Sequence, residues 1–124
     1  MKTAKDIFDE FEEVYVKDPS ARAITRFGAC VYEASDGRRC AVGRCCTDPA
    51  NLSEGDVNAI SVRRDGRFTI DPFLRPEYRG HSLDFWRDLQ DLHDEPLYWT
   101  PTGLSEFGAK TFAELKEIYA KNDA

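Results

Sequence analysis

Four cysteines, Cys30, Cys40, Cys45 and Cys46, and two histidines, His81 and His93, are the side chains of this 124-residue chain best suited to nucleophilic or metal chemistry. A thiol becomes a nucleophile at neutral pH when an imidazole takes its proton and a carboxylate orients that imidazole. The trio to consider is Cys30 or Cys40 with His93 as base and Asp94, or Asp91, beside it. A Cys/His-dependent hydrolase or transferase is the reaction class such a trio would serve. No family-specific nucleophile signature surrounds any of the cysteines. Adjacent side chains on a helix are also expected to diverge, which works against a His93–Asp94 hydrogen bond. The plainer expectation for His93 is a helix C-terminal imidazole beside Trp86 and Tyr98, bonded to backbone carbonyls.

The same thiols are poorly spaced for metal. Structural zinc sites pair cysteines two to four residues apart, with a second pair well separated. Here Cys45 and Cys46 are adjacent and would point to opposite faces of a strand. The acids Asp48, Asp56 and Asp65 lack calcium-loop spacing. No Gly-rich phosphate loop, H-E-x-x-H or G-x-S-x-G occurs. No metal and no cofactor is therefore expected. A Cys30–Cys40 disulfide is disfavoured by register. If Asp36 and Gly37 are the central pair of a hairpin turn, Cys40 faces Glu33, Cys30 faces Gly43, and the thiols lie on opposite faces. Small buried thiols are the expected state.

Charge supplies another candidate. The chain carries 17 basic and 23 acidic residues, a formal charge of −6. Residues 1–21 hold 3 Lys against 6 acids, residues 22–79 hold 10 Arg against 8 acids, and residues 80–124 hold 4 basic residues against 9 acids. An acidic whole argues against nucleic acid as a partner, because non-specific binding needs many cations on phosphate. The arginine-rich middle is different. Arg63, Arg64, Arg67, Arg75 and Arg79 surround Phe68, Phe73 and Tyr78 in a turn-rich segment, and Arg and Tyr anchor interfaces more often than most side chains. The plainer reading closes the core with Phe68 and Phe73 and leaves the arginines in water.

These residues must be positioned by a small set of elements. Ile7, Phe8, Phe11, Val14 and Tyr15 recur at helical spacing, which predicts an amphipathic helix from a Thr3 cap to about Lys17, stopped by Asp18-Pro19. Its acidic polar face makes the apolar stripe a core face and not a membrane surface. Residues 27–33 and 39–45 read as strands about Asp36-Gly37, with Gly43 marking a close backbone approach by the first helix. Two readings compete for 54–70: a short helix over 54–60 capped by Ser53, and the favoured hairpin over 60–70 about Asp65-Gly66, with Arg63 and Arg67 near its tip. Ser82 caps a helix to about His93, with Phe85, Leu89 and Leu92 in one row and Trp86, Gln90 and His93 in the next. A final helix is predicted from Thr111, on the capping-box spacing of Thr111 and Glu114, after a turn over 103–109. The expectation is a single α+β domain over 1–124, a small antiparallel sheet of one or two hairpins packed against about three helices.

Two stretches also occur together in a known group. Cys30-Val31-Tyr32 with Asp36-Gly37 and Cys40-Ala41-Val42-Gly43, and Glu77-Tyr78-Arg79-Gly80 with Phe85-Trp86 and Leu89-Gln90-Asp91-Leu92-His93-Asp94, make residues 26–99 similar to a group of small, uncharacterised proteins encoded by bacteriophages, prophages and bacteria. The resemblance implies a phage or bacterial cytoplasmic origin and carries no activity with it. Fifteen aromatics exclude a disordered tail, no run of 18 apolar residues spans a bilayer, and the N-terminus has no secretory h-region. The expected role is an interaction protein that binds a host or phage protein, or a small anionic ligand. The alternatives are the Cys/His enzyme and an acidic mimic of nucleic acid built on the two negative ends.

Overall fold

The computed structural model describes residues 1–22, 32–52 and 57–121. Helix α1 (Ala4–Phe11) begins where Thr3 Oγ1 accepts the Asp6 N–H while the Asp6 carboxylate accepts the Thr3 N–H, each at 3.1 Å. This reciprocal cap satisfies two N–H groups that a helix start otherwise leaves bare. A π-helical turn, Glu12–Val16, continues it, and Asp18-Pro19 ends it as the sequence predicts. The stripe of Ile7, Phe8, Phe11 and Tyr15 is buried.

Helix α2 (Val57–Ile60) is one turn long and leads into strand β1 (Val62–Arg64), which pairs antiparallel with β2 (Arg67–Thr69). The competing readings of this segment are therefore both realised, one after the other. Asp65 and Gly66 hold φ of 50° and 78°, the mirror-image turn that an Asp-Gly pair tolerates and a tight hairpin demands. Helix α3 (Leu83–Asp94) starts at Ser82, whose Oγ accepts the Phe85 N–H. A second, minimal hairpin pairs β3 (Trp99–Thr100) with β4 (Gly103–Leu104), and helix α4 (Glu106–Lys121) follows. The architecture is α+β: the described residues form four helices and two separate two-stranded antiparallel ribbons.

The helices meet through aromatic rings. Phe8 of α1 packs edge-on against Phe85 of α3 and Phe112 of α4, with centroids 5.8 and 5.6 Å apart, and lies nearly parallel to Tyr119. T-shaped pairs of this kind add to the free energy gained from burial. The carbonyls left bare at the end of α3 find donors: Trp99 Nε1 bonds Leu92 O, and Arg22 Nε bonds His93 O, both at 2.8 Å.

Four expectations are corrected. Residues 39–45 do not form a strand. Among the described residues of this hairpin only Glu33 and Arg39 pair, so the bridge is closed one residue earlier than the Asp36-Gly37 register predicts, and the chain then turns into a 3₁₀ helix, Gly43–Cys45. The cause is Gly43, where a Cβ would sit 2.0 Å from Tyr32 O; the close approach is to that backbone and not to α1. Residues 27–31 of the expected strand 27–33, with Cys30, and the Ser53 cap lie outside the described residues. The last helix starts at Glu106, five residues before Thr111. Ser105 Oγ accepts the Gly108 N–H, while Thr111 is interior and returns its hydroxyl to Phe107 O. Phe68 stays 59% exposed, so it closes no core, whereas Ile70 is fully buried.

Candidate functional site: an arginine hairpin

Strands β1 and β2 align Arg64 with Arg67 on the rung nearest the turn and Arg63 with Phe68 on the next. It is thus Arg64, and not Arg63, that stands across from Arg67. All three arginines are exposed. Among the described residues none of the three guanidiniums has a hydrogen bond or an ion pair. In a chain of net charge −6, a ribbon carrying three unpaired guanidiniums and one exposed phenyl ring is a local exception. Planar guanidiniums offer two-point donors to carboxylate or phosphate, and the ring supplies apolar contact area.

The other members of the predicted arginine surface serve the fold. Tyr78 is 4% exposed, and its hydroxyl donates to Glu10 at 2.6 Å. Arg75 donates to Arg44 O and stands 5.3 Å from the Tyr78 ring centroid. Arg79, although exposed, donates through Nε to Leu74 O at 3.1 Å. Sequence spacing groups these three with the hairpin, but the 3₁₀ turns Asp71–Phe73 and Pro76–Tyr78 carry Tyr78 and Arg75 inward.

They lead to a cluster that spacing does not disclose. Glu10 of α1 receives Lys2 at 2.5 Å, Arg44 at 2.8 Å and the Tyr78 hydroxyl. Burial alone would raise this carboxyl. The hydrogen bonds from Lys2, Tyr78 and Arg44 overcome that and hold it at about 2. Arg44 and Tyr78 lie 34 and 68 residues from Glu10, so no local signal points to them.

His93 is fully buried. Its ring stands edge-on to Tyr15, centroids 5.0 Å apart, and its Nδ1 lies 2.5 Å from Asp94 Oδ1. This corrects both earlier expectations: the neighbours do bond, and the contacts are Tyr15 and Asp94 instead of Trp86, Tyr98 and carbonyls. Asp94 is further occupied by Gln90 Nε2, whose own Oε1 accepts the Val42 N–H at 3.2 Å. Burial lowers the imidazole's proton affinity, with Asp94 opposing. Among the described residues His93 Nε2 has no hydrogen-bond partner.

Neither nitrogen of His93 is within hydrogen-bonding reach of Cys40, Cys45 or Cys46. Those thiols are at most 2% exposed. Cys45 and Cys46 donate to Ala41 O and Val42 O, and burial pushes both up to about 12, with Arg44 opposing for Cys45 and Arg75 for Cys46. A thiol in that state is a poor nucleophile at neutral pH. No group of three metal-ligating side chains occurs among the described residues. Many acids at the two negative ends are tied internally, Asp9 to Lys5 and Lys116, Glu13 to Lys17, Asp84 to Arg87 and Asp88 to Tyr119, which reduces the charge a mimic of phosphate could present.

No known protein family, curated protein or solved structure matches the chain. The site therefore rests on its own geometry. Among the described residues no helix is long and apolar enough to cross a membrane.

Proposed function

We propose that this chain is a small interaction protein of the bacterial cytoplasm that binds a host or phage protein through the β1–β2 ribbon. The observation that carries the reading is the set of unpaired, exposed Arg63, Arg64 and Arg67 around exposed Phe68. Tight-turn geometry holds the ribbon in one shape, so little order is lost on binding.

The test is affinity capture with the wild-type chain and with the triple variant Arg63→Glu, Arg64→Glu, Arg67→Glu, followed by titration of the purified captured protein. Thermal midpoints should agree, because the three exposed guanidiniums make no hydrogen bond or ion pair among the described residues. Loss of titrated binding in the triple variant is the expected result. Equal binding by both proteins would remove the ribbon from the interface.

A further inference from the structure

The ribbon's register sets like charges against each other. Arg64 faces Arg67 across the rung beside the turn, an arrangement that weakens a two-stranded ribbon when nothing lies between the charges. Side chains of alternate rungs point to opposite faces, and Arg63 lies outside the lining of the cleft that Arg64 and Arg67 share, whereas Phe68 contributes to that lining. The Arg64–Arg67 face borders a cleft of about 700 Å³, whose far wall is His81, Ser82 and Leu83 at the entry to α3. Two carboxylates, Asp65 and Asp71, also line this cleft. Asp71 accepts the Gly80 N–H through both oxygens at 3.3 Å, and neither acid forms an ion pair with Arg64 or Arg67. His81 is fixed in place: its Nε2 donates to Lys2 O at 2.9 Å, and its ring stacks on Phe85 at 4.7 Å. Ser82 Oγ accepts the Phe85 N–H and Ser82 O the Trp86 N–H, so among the described residues the Leu83 and Asp84 N–H groups are the ones left to add positive potential on that wall.

One carboxylate is saturated by one guanidinium fork. Two forks on a single rung, with Cα atoms about 5.5 Å apart, call for more acceptor oxygens and a second negative charge. We propose that this cleft binds a phosphoryl group, carried by a phosphorylated segment of the partner protein. The inference rests on the interaction reading above and names the chemistry that the ribbon recognises.

Inorganic phosphate, acetate and a phosphoserine peptide are titrated at constant ionic strength and followed by backbone amide shifts. Phosphate should move residues 64–69 and 80–84 saturably, and acetate should not. Arg64→Gln or Arg67→Gln should weaken phosphate binding about tenfold or more, without lowering the thermal midpoint. Arg63→Gln, with the same charge change on the other face, should alter it by about twofold or less. The peptide should bind tighter than inorganic phosphate. Absence of saturable shifts, equal binding of acetate, or equal loss in Arg63→Gln would overturn the site. Equal affinity for peptide and free phosphate would overturn the partner segment as its source. If the triple variant loses partner binding while phosphate shows no saturable shift, the phosphoryl site alone falls. If phosphate binds as described while partner binding ignores the triple variant, the interaction reading falls, and the segment as the source falls with it.

Discussion

Replacing Glu10 by Gln tests whether one carboxylate holds three distant parts of the chain together. The side chain keeps its volume and loses its charge, leaving Lys2 and the 18%-exposed Arg44 opposite a neutral amide. A carboxyl held at about 2, against an ordinary 4.5, corresponds to ~3.4 kcal/mol at full strength. Glu10 is itself 23% exposed, and screening there, together with the bonds that Gln retains, reduces the expected loss to about 2 kcal/mol at pH 7. Because the folded-state affinity for protons is lowered, this stability is full above the unfolded value near 4.5 and is lost as pH falls towards 2. The penalty should therefore shrink to about 0.8 kcal/mol at pH 3. Urea unfolding of both proteins at pH 7 and pH 3, read by Trp fluorescence, measures the difference. Equal penalties at the two pH values would mean that shape and not charge matters, and a loss under about 0.5 kcal/mol at pH 7 would refute the clamp.

Other consequences can be checked alongside. Burial lowers the proton affinity of His93 in the folded state, so its contribution is full above the unfolded imidazole value near 6.5 and is lost as pH falls below it. His93→Leu should flatten the pH 5–7 portion of the stability curve, where a single proton accounts for at most about 1.4 kcal/mol per pH unit. Gly43→Ala should cost about 3 kcal/mol or more by urea unfolding, since the new Cβ would lie 2.0 Å from Tyr32 O. Gly108→Ala should also destabilise, with its Cβ 2.1 Å from Tyr98 O, although helix propensity alone predicts a gain of about 1 kcal/mol. Alkylation mapped cysteine by cysteine at pH 8 should leave Cys45 and Cys46 unmodified until denaturant is added; rapid native labelling would contradict their burial.

What was legible in the sequence was local. Helices α1 and α3 announce themselves because cap and stripe lie within a few residues, Thr3 with Asp6 and Ser82 with the Phe85–Leu89–Leu92 row. Asp65-Gly66 fixes its ribbon for the same reason. The start of α4 was hidden by two glycines: Gly108 looks like a breaker, yet it is there because the Tyr98 carbonyl presses on the helix. Ser105 was the available signal, with a hydroxyl in cap position three residues before Gly108. The segment 39–45 carries strand-forming side chains, but contact with Tyr32 bends it into a turn. The arginines of the middle look alike in one dimension; Arg75 separates from Arg64 only when Glu10 and Tyr78 bring α1 against the 3₁₀ turns.

The aromatic nest around Phe8 bears on how the chain leaves the ribosome. Its walls come from α3 and, more than a hundred residues downstream, from Phe112 and Tyr119, with Lys116 reaching back to Asp9. During synthesis α1 must wait for α4 to emerge before its apolar stripe is fully covered, so this part of the core closes after α4 is made and not progressively behind α1.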